Sequence, residues 1–318
     1  KGMVEAAGDP YTVYLNSKDF QQLSEMTGGS FGGIGIVFGK RGNDYVVISA
    51  LEDNPGAKAG IKSGDIITAI DGKQTRDMNM EQVANKIRGK HGTVVKLELK
   101  GKDGKLRTVS VERGEIKNPS VGGQLLPDTK IGYIRIAVFN ENTGDDFAKK
   151  YAELEKQGMQ ALVLDLRSNP GGVFDAGVAV AGMLVPKGPI VSVVDKNGNK
   201  YEETSSLEKV KYPLAVLVDH GSASAAEIVA GAIKDTKSGK LFGTKTFGKG
   251  SVQSVYRLDM QLKDGSAIKL TVAKYYTPSG VSIHNVGIEP DVKVELPEDA
   301  TVDVQLKAAE DYLLQQLQ

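Results

Sequence analysis

The spacing of apolar residues changes character along the chain, and the change predicts two architectures. From residue 31 to about 113 the apolar runs are short: 45–50, 66–70, 93–99 and 106–112 read as strands, Asp71-Gly72 as a turn and 79–88 as a helix. That is a compact, mostly β unit of domain size. After residue 116 longer elements alternate. "KIGYIRIAVF" predicts a strand, "TGDDFAKKYAELEKQG" a helix stopped by Gly158, and "QALVLDLRS" an unbroken apolar strand of the buried parallel type. A helix over "AGVAVAGMLV", strands at 190–194 and 214–218, and a closing amphipathic helix in "EDATVDVQLKAAEDYLLQQLQ" complete an α/β pattern. Three segments follow: 1–29 packing on the core, 30–115 as the β unit, and 116–318 as the α/β core with its C-terminal helix.

Composition narrows the chemistry. A length of 318 residues with 40% apolar content suits about two domains with sizeable cores. Forty basic residues balance forty acidic ones, so no nucleic-acid partner is indicated. The absence of cysteine removes disulfides, thiol nucleophiles and thiolate metal sites together. His91, His220 and His284 are widely separated and lack a metal-ligand pattern, so neither a metal nor a cofactor is expected. No apolar run approaches a membrane span, and "KGMVEAAGDPYTVYL" lacks the charged start and apolar middle of a signal peptide.

One stretch invites a nucleotide reading. "GTKTFGKGSV", residues 243–252, falls one residue short of the phosphate loop G-x-x-x-x-G-K-[ST]. Gly243, Gly248 and Lys249 fit, but Gly250 has no hydroxyl for magnesium. The residues that follow, "SVQSVYRLDMQLKDGSAIKLTVAKYY", alternate like a hairpin around the turn signal "KDGS". A strand there offers no helix dipole to a phosphate, so Lys249 needs a different use.

"LAVLVD" followed by "HGSASAAEIVAGAIKD" supplies a partner. Small residues mark the turn, Ile228, Val229, Ala232 and Ile233 keep helical spacing, and Ser224 sits at the strand-to-helix junction. Free amides and the positive dipole end there suit a nucleophile and its oxyanion. Ser224 and Glu227 equally spell the capping box S-x-x-E, a purely structural role. Lys249, twenty-five residues on, tips the balance, because a lysine whose pKa is lowered by apolar surroundings can take the serine proton. Glycines 248 and 250 permit close backbone approach, and Phe247 is expected to help exclude water. In "DLRSNPGG", at the carboxyl end of the buried strand, Gly171-Gly172 either presents an amide to a reacting carbonyl beside the amide of Ala225 or forms a simple Pro-Gly turn. His220, four residues before Ser224, reads as a structural turn residue.

Two resemblances sharpen this. "GGIGI" and "NPGAKAGIKSGDIITAIDG" resemble a PDZ domain, whose glycine-bearing loop binds a peptide carboxylate while the adjacent strand accepts an added strand. The implied contacts are Gly33, Ile34, Gly35 and Ile36; Arg88 either senses a bound tail or is an ordinary solvated arginine. The glycines alone are also compatible with a bulge or turn. "GYIRIAVFNENT", "DLRSNPGG", "GSASAAEIVAGAIKD", "GTKTFGKGSVQ" and "YYTPSGVSIHNVGIEPD", in that order, resemble the carboxyl-terminal processing proteases over almost the whole chain. The resemblance implies a crotonase-like protease core with an inserted PDZ domain. It makes Ser224 the nucleophile, Lys249 the general base, Gln253 the residue orienting the lysine, and Gly171, Gly172 and Ala225 the oxyanion hole. It also implies protein or peptide substrates with free C-terminal tails and a site of action in the periplasm or on the outer face of a bacterial membrane. It leaves a homo-oligomer open, with membrane association only through a segment preceding Lys1. Ala226 departs from the serine usual in the family. A non-catalytic peptide-binding scaffold and an acyl-thioester enzyme are the rival readings.

Overall fold

The structure, a computed structural model, describes residues 2–6, 8–258, 264–297 and 300–318. The chain divides into two compact units, Lys1–Gly29 with Pro119–Gln318, and Ser30–Asn118. The mixed α/β architecture with an inserted β unit is the one expected from the sequence.

In the unit Ser30–Asn118 a sheet runs in the order Ile36–Arg41, Asp44–Ala50, Ile66–Ile70, Val94–Lys100, Leu106–Glu112. Burial along Val94–Lys100 alternates, with Val95, Leu97 and Leu99 in the core beside Tyr45, Ile67 and Val83. Asp71 and Gly72 both take positive φ, 47° and 76°, as a tight hairpin demands. The helix Met80–Ile87 begins on a capping box between Asn79 and Gln82. At its other end buried Arg113 donates to the carbonyls of Ile87 at 2.9 Å and Lys86 at 2.7 Å, where a cation complements the helix dipole.

The other unit carries a six-stranded sheet ordered Val121–Leu125, Ile131–Ile136, Ala161–Asp165, Leu214–Val218, Lys240–Gly243, Val292–Lys293, parallel except for its first pair. Every residue of Ala161–Asp165 and Leu214–Val218 is buried, because both faces are covered. Leu162, Leu164, Leu214 and Val216 enter one core with residues of the helices Thr143–Lys156, Phe174–Gly182 and Ala225–Asp235. Ala161, Val163, Ala215 and Leu217 enter a second core with Ala309 and Leu313 of the helix Val304–Gln316. The period-two division explains why the strands are apolar throughout.

A second sheet is built on Ala267–Tyr276, which pairs antiparallel with Ser251–Arg257 along most of its length. It also pairs with Val13–Leu15 at residues 267–269 and with Gly188–Asp195 at 273–276. The expected "KDGS" turn falls partly on Lys263, outside the described residues. A strand, Ser251–Arg257, follows Lys249, so the phosphate-loop geometry is absent. The helix Ser17–Gly28, capped by Asn16 and stopped at Gly29 with φ 69°, was not anticipated from apolar spacing, since none of its residues is buried.

Candidate active site

Two loops leave the carboxyl ends of the buried parallel strands and are locked together. Asp219, just after Leu214–Val218, accepts from the amides of Ser168 at 2.8 Å and Gly221 at 2.9 Å. Buried Asn169 accepts the Ala223 amide on its carbonyl at 2.9 Å and the Gly171 amide on its side chain at 2.8 Å. The side-chain amide of Asn169 donates to Ile136 O at 2.7 Å, so one residue pins both loops to the sheet.

Ser224 stands at the start of Ala225–Asp235 with φ 55° and ψ −117°, outside the regions L-residues favour. Such strain costs about 1–3 kcal/mol and persists where the surroundings over-determine it. The surroundings here are close: a Cβ on Gly171 would lie 2.6 Å from both Ala223 O and Ser224 Cβ. On Gly172 a Cβ would lie 1.9 Å from Phe139 O, a backbone atom that cannot step aside. Gly172→Ala is therefore expected to lower stability by at least about 2 kcal/mol, readable as a depressed thermal midpoint.

The capping box is only part of what Glu227 does. Its buried carboxylate accepts the Ser224 amide at 2.9 Å, the Lys249 amide at 2.8 Å, the Gly248 amide at 2.7 Å and the Thr246 hydroxyl at 2.6 Å. Burial pushes the carboxyl up from its ordinary value, and the four donors pull it down. The hydroxyl of buried Tyr275 lies 3.0 Å from Ser224 O and also contacts Lys249 O, with one proton to share between them. The main chains of Ser224 and Lys249 are thus tied together twice, by an acid and by a phenol.

Ser224, Lys249, Gln253, Gly171, Gly172 and Ala225 all line one cleft of about 740 Å³. Lys249 lies beside Tyr11, its Nζ 5.1 Å from the ring centroid. Burial and the charge of Lys269 lower its pKa, with Glu227 opposing. Among the described backbone bonds, the amides of Gly172 and Ala225 donate to no protein acceptor, whereas the Gly171 amide is held by Asn169.

Residues 130–294 match the family model for peptidase family S41, and residues 46–101 that for a PDZ domain. The chain belongs to peptidase family S41. The carboxy-terminal processing protease CtpA of Bacillus subtilis is 39% identical over 302 residues, 94% of this chain and 64% of that protein. The chloroplastic C-terminal processing peptidase of Tetradesmus obliquus is 37% identical over 93% of this chain and 67% of its own length. Among solved structures, the photosystem II D1 C-terminal processing protease superposes with a TM-score of 0.55 at 35% identity, covering 98% of this chain and 84% of that one. The chain thus spans 64% and 67% of the length of these two curated relatives.

Within this S41 chain one expected residue, Phe247, stands elsewhere than its anticipated role requires. Gln253 Nε2 donates to Ser251 Oγ at 2.8 Å, and no hydrogen bond links it to Lys249 or Lys249 to Ser224 among the described residues. Phe247, expected to exclude water, is 57% exposed; its amide is held by Ser222 O and its ring does not line the cleft. Gly248 and Gly250 do permit close approach, since Cβ atoms there would meet Gly287 N at 2.8 Å and His284 N at 2.7 Å. His220 is exposed and lines a separate cavity with Arg135 and Arg167.

In the PDZ domain, Ile36–Arg41 is the terminal strand of its sheet, with one edge unpaired. Gly33 ends the strand Ser30–Gly33, and Ile34 is buried in the domain core. Ile34 O accepts from Gly56, and Gly35 turns at φ 69° against Asn54. Exposed Arg88 places its guanidinium 4.8 Å from the centroid of Phe31. Sequence reasoning missed the full reach of Glu227, and also Asn169, Tyr275 and Tyr11. For Glu227 the only local signal was its place in S-x-x-E.

Proposed function

We propose that this S41 protein is a serine endopeptidase that admits the C-terminal tail of a protein or peptide and cleaves it through an acyl-enzyme. The observation that carries the reading is the Glu227 carboxylate, which holds the main chains of Ser224 and Lys249 in one cleft. In this mechanism neutral Lys249 Nζ takes the proton of Ser224 Oγ as the oxygen attacks the scissile carbonyl. The amides of Gly172 and Ala225 receive the developing oxyanion, in the manner of preorganised donors. The lysine proton passes to the leaving amine, and the neutral amine next draws a proton from water to hydrolyse the ester. Gln253 would orient Lys249 once its amide leaves Ser251.

The PDZ domain would take the tail by strand addition along Ile36–Arg41, with Gly33, Ile34, Gly35 and Ile36 around the carboxylate and Arg88 beside it. Tail binding would favour an arrangement in which Lys249 meets Ser224. The lack of a hydrogen bond between those residues among the described ones fits a resting arrangement. The proposal extends to action outside the bacterial cytoplasm. No described helix is long and apolar enough to cross a membrane.

A fluorophosphonate is expected to label the wild-type protein once per chain and to leave Ser224→Ala unlabelled. A peptide with a free C-terminal carboxylate should be cleaved faster than its C-terminal amide. Turnover of an acyl thioester by Ser224→Ala would favour the thioester enzyme instead, and no labelling at all the binding scaffold.

A further inference from the structure

We propose that Tyr11 is a positioning residue that parks the protonated Lys249 side chain and releases it when the amine becomes neutral. The inference rests on Lys249 being the general base. Its backbone has little freedom, because its amide is bound by Glu227 at 2.8 Å and its carbonyl by the Tyr275 hydroxyl. Movement towards or away from Ser224 therefore belongs to the side-chain torsions. The ammonium makes no ion pair or hydrogen bond among the described residues and lies 5.1 Å from the Tyr11 ring centroid.

The ring is held in place from several sides. The Tyr11 amide donates to Asp9 Oδ1 at 3.2 Å, and the Thr12 hydroxyl to Asp9 Oδ2 at 2.6 Å. The Thr271 amide donates to Thr12 Oγ1 at 3.1 Å, and Val13–Leu15 pairs directly with Ala267, Ile268 and Lys269. His284 meets the ring edge-on at a centroid distance of 6.3 Å.

The negative face of an aromatic ring attracts an ammonium and has little hold on a neutral amine. The charged groups facing Lys249 are Lys269, which repels it, and Glu227, which attracts it. Tyr275 contributes its hydroxyl, while His284 meets the Tyr11 ring edge-on and Asp9 accepts the Tyr11 amide. Burial and Lys269 favour the neutral base, while Tyr11 and Glu227 favour the charged form. Loss of the proton weakens the ring contact, so the amine is freed as it becomes competent to accept a proton from Ser224.

The test is the pH profile of kcat/KM for a tail peptide. Tyr11→Leu and Tyr11→Met are expected to move the midpoint of the acid limb down by about 0.4 to 1.5 pH units, a range set by the usual strength of cation–ring contacts. Well below the midpoint their rates should exceed wild type by about 2.5-fold to 30-fold. Tyr11→Phe, which keeps the ring, should restore the wild-type midpoint. A fluorinated phenylalanine at position 11, similar in shape but weaker at its face, should lower the midpoint even if the aliphatic variants fail to fold. Unmoved midpoints in folded ring-deleted or fluorinated variants, beside an inactive Lys249→Ala, would overturn the role of Tyr11 alone. Full activity of Lys249→Ala would overturn the general-base reading on which it stands.

Discussion

Lys249→Ala is expected to lower tail-peptide hydrolysis by about 10²–10⁴-fold while leaving the fold intact, since a positioned base typically contributes about that factor. The side chain is half-buried and makes no hydrogen bond or ion pair among the described residues, so its removal orphans no partner. Lys249→Arg should be equally inactive, because a guanidinium stays charged at any working pH and cannot accept the serine proton. The sign of the pH dependence follows from the same group. A base acts in its deprotonated form, so kcat/KM should rise with pH through the lysine pKa, which burial and Lys269 bring below its ordinary value. Lys269→Gln removes the repulsion and should move that limb to higher pH. Steady-state profiles of the three variants beside wild type decide the matter, and wild-type hydrolysis by the alanine variant would remove lysine from the mechanism.

The elements read most directly from the sequence are those whose burial is periodic or complete. Ile66–Ile70 and Leu214–Val218 fall on the expected residues because β-branched runs are bounded by turn glycines or polar residues. Ser224 was legible for a related reason, as small residues crowd a strand-to-helix junction that leaves no room for larger ones. The helix Ser17–Gly28 escaped notice because it buries no residue, although Asn16 and Gly28-Gly29 are ordinary start and stop signals. Phe247 misled in the opposite direction, since an aromatic ring beside a candidate base suggests shelter, while its backbone tie to Ser222 accompanies an exposed ring. The shelter comes from residues remote in sequence, Tyr11 and Tyr275, which no spacing around Lys249 encodes. Glu227 shows the same limit: S-x-x-E reveals its bond to Ser224 but not the three donors from residues 246–249.

Those three donors make Glu227→Ala the second substitution with a large expected effect. Removing the carboxylate leaves the amides of Ser224, Gly248 and Lys249 and the Thr246 hydroxyl without their acceptor, which should cost about 3–5 kcal/mol and depress the thermal midpoint. Glu227→Gln keeps the shape but replaces one acceptor oxygen by a donor, so two of the four donors then face an N–H group. Because the folded-state pKa of Glu227 is raised by burial, its electrostatic contribution to stability falls as pH climbs from the ordinary carboxyl range through that raised value. Above that raised value the carboxylate is carried at a net electrostatic cost, which suits a group retained to position others. Hydrolysis by both variants, assayed well below their thermal midpoints, should fall by more than their loss of folded protein explains. Any residual activity should have its acid limb at lower pH, since Glu227 no longer stabilises the Lys249 ammonium. Folded Glu227→Gln with wild-type turnover and an unmoved acid limb would mean that the shared carboxylate is a structural tie alone.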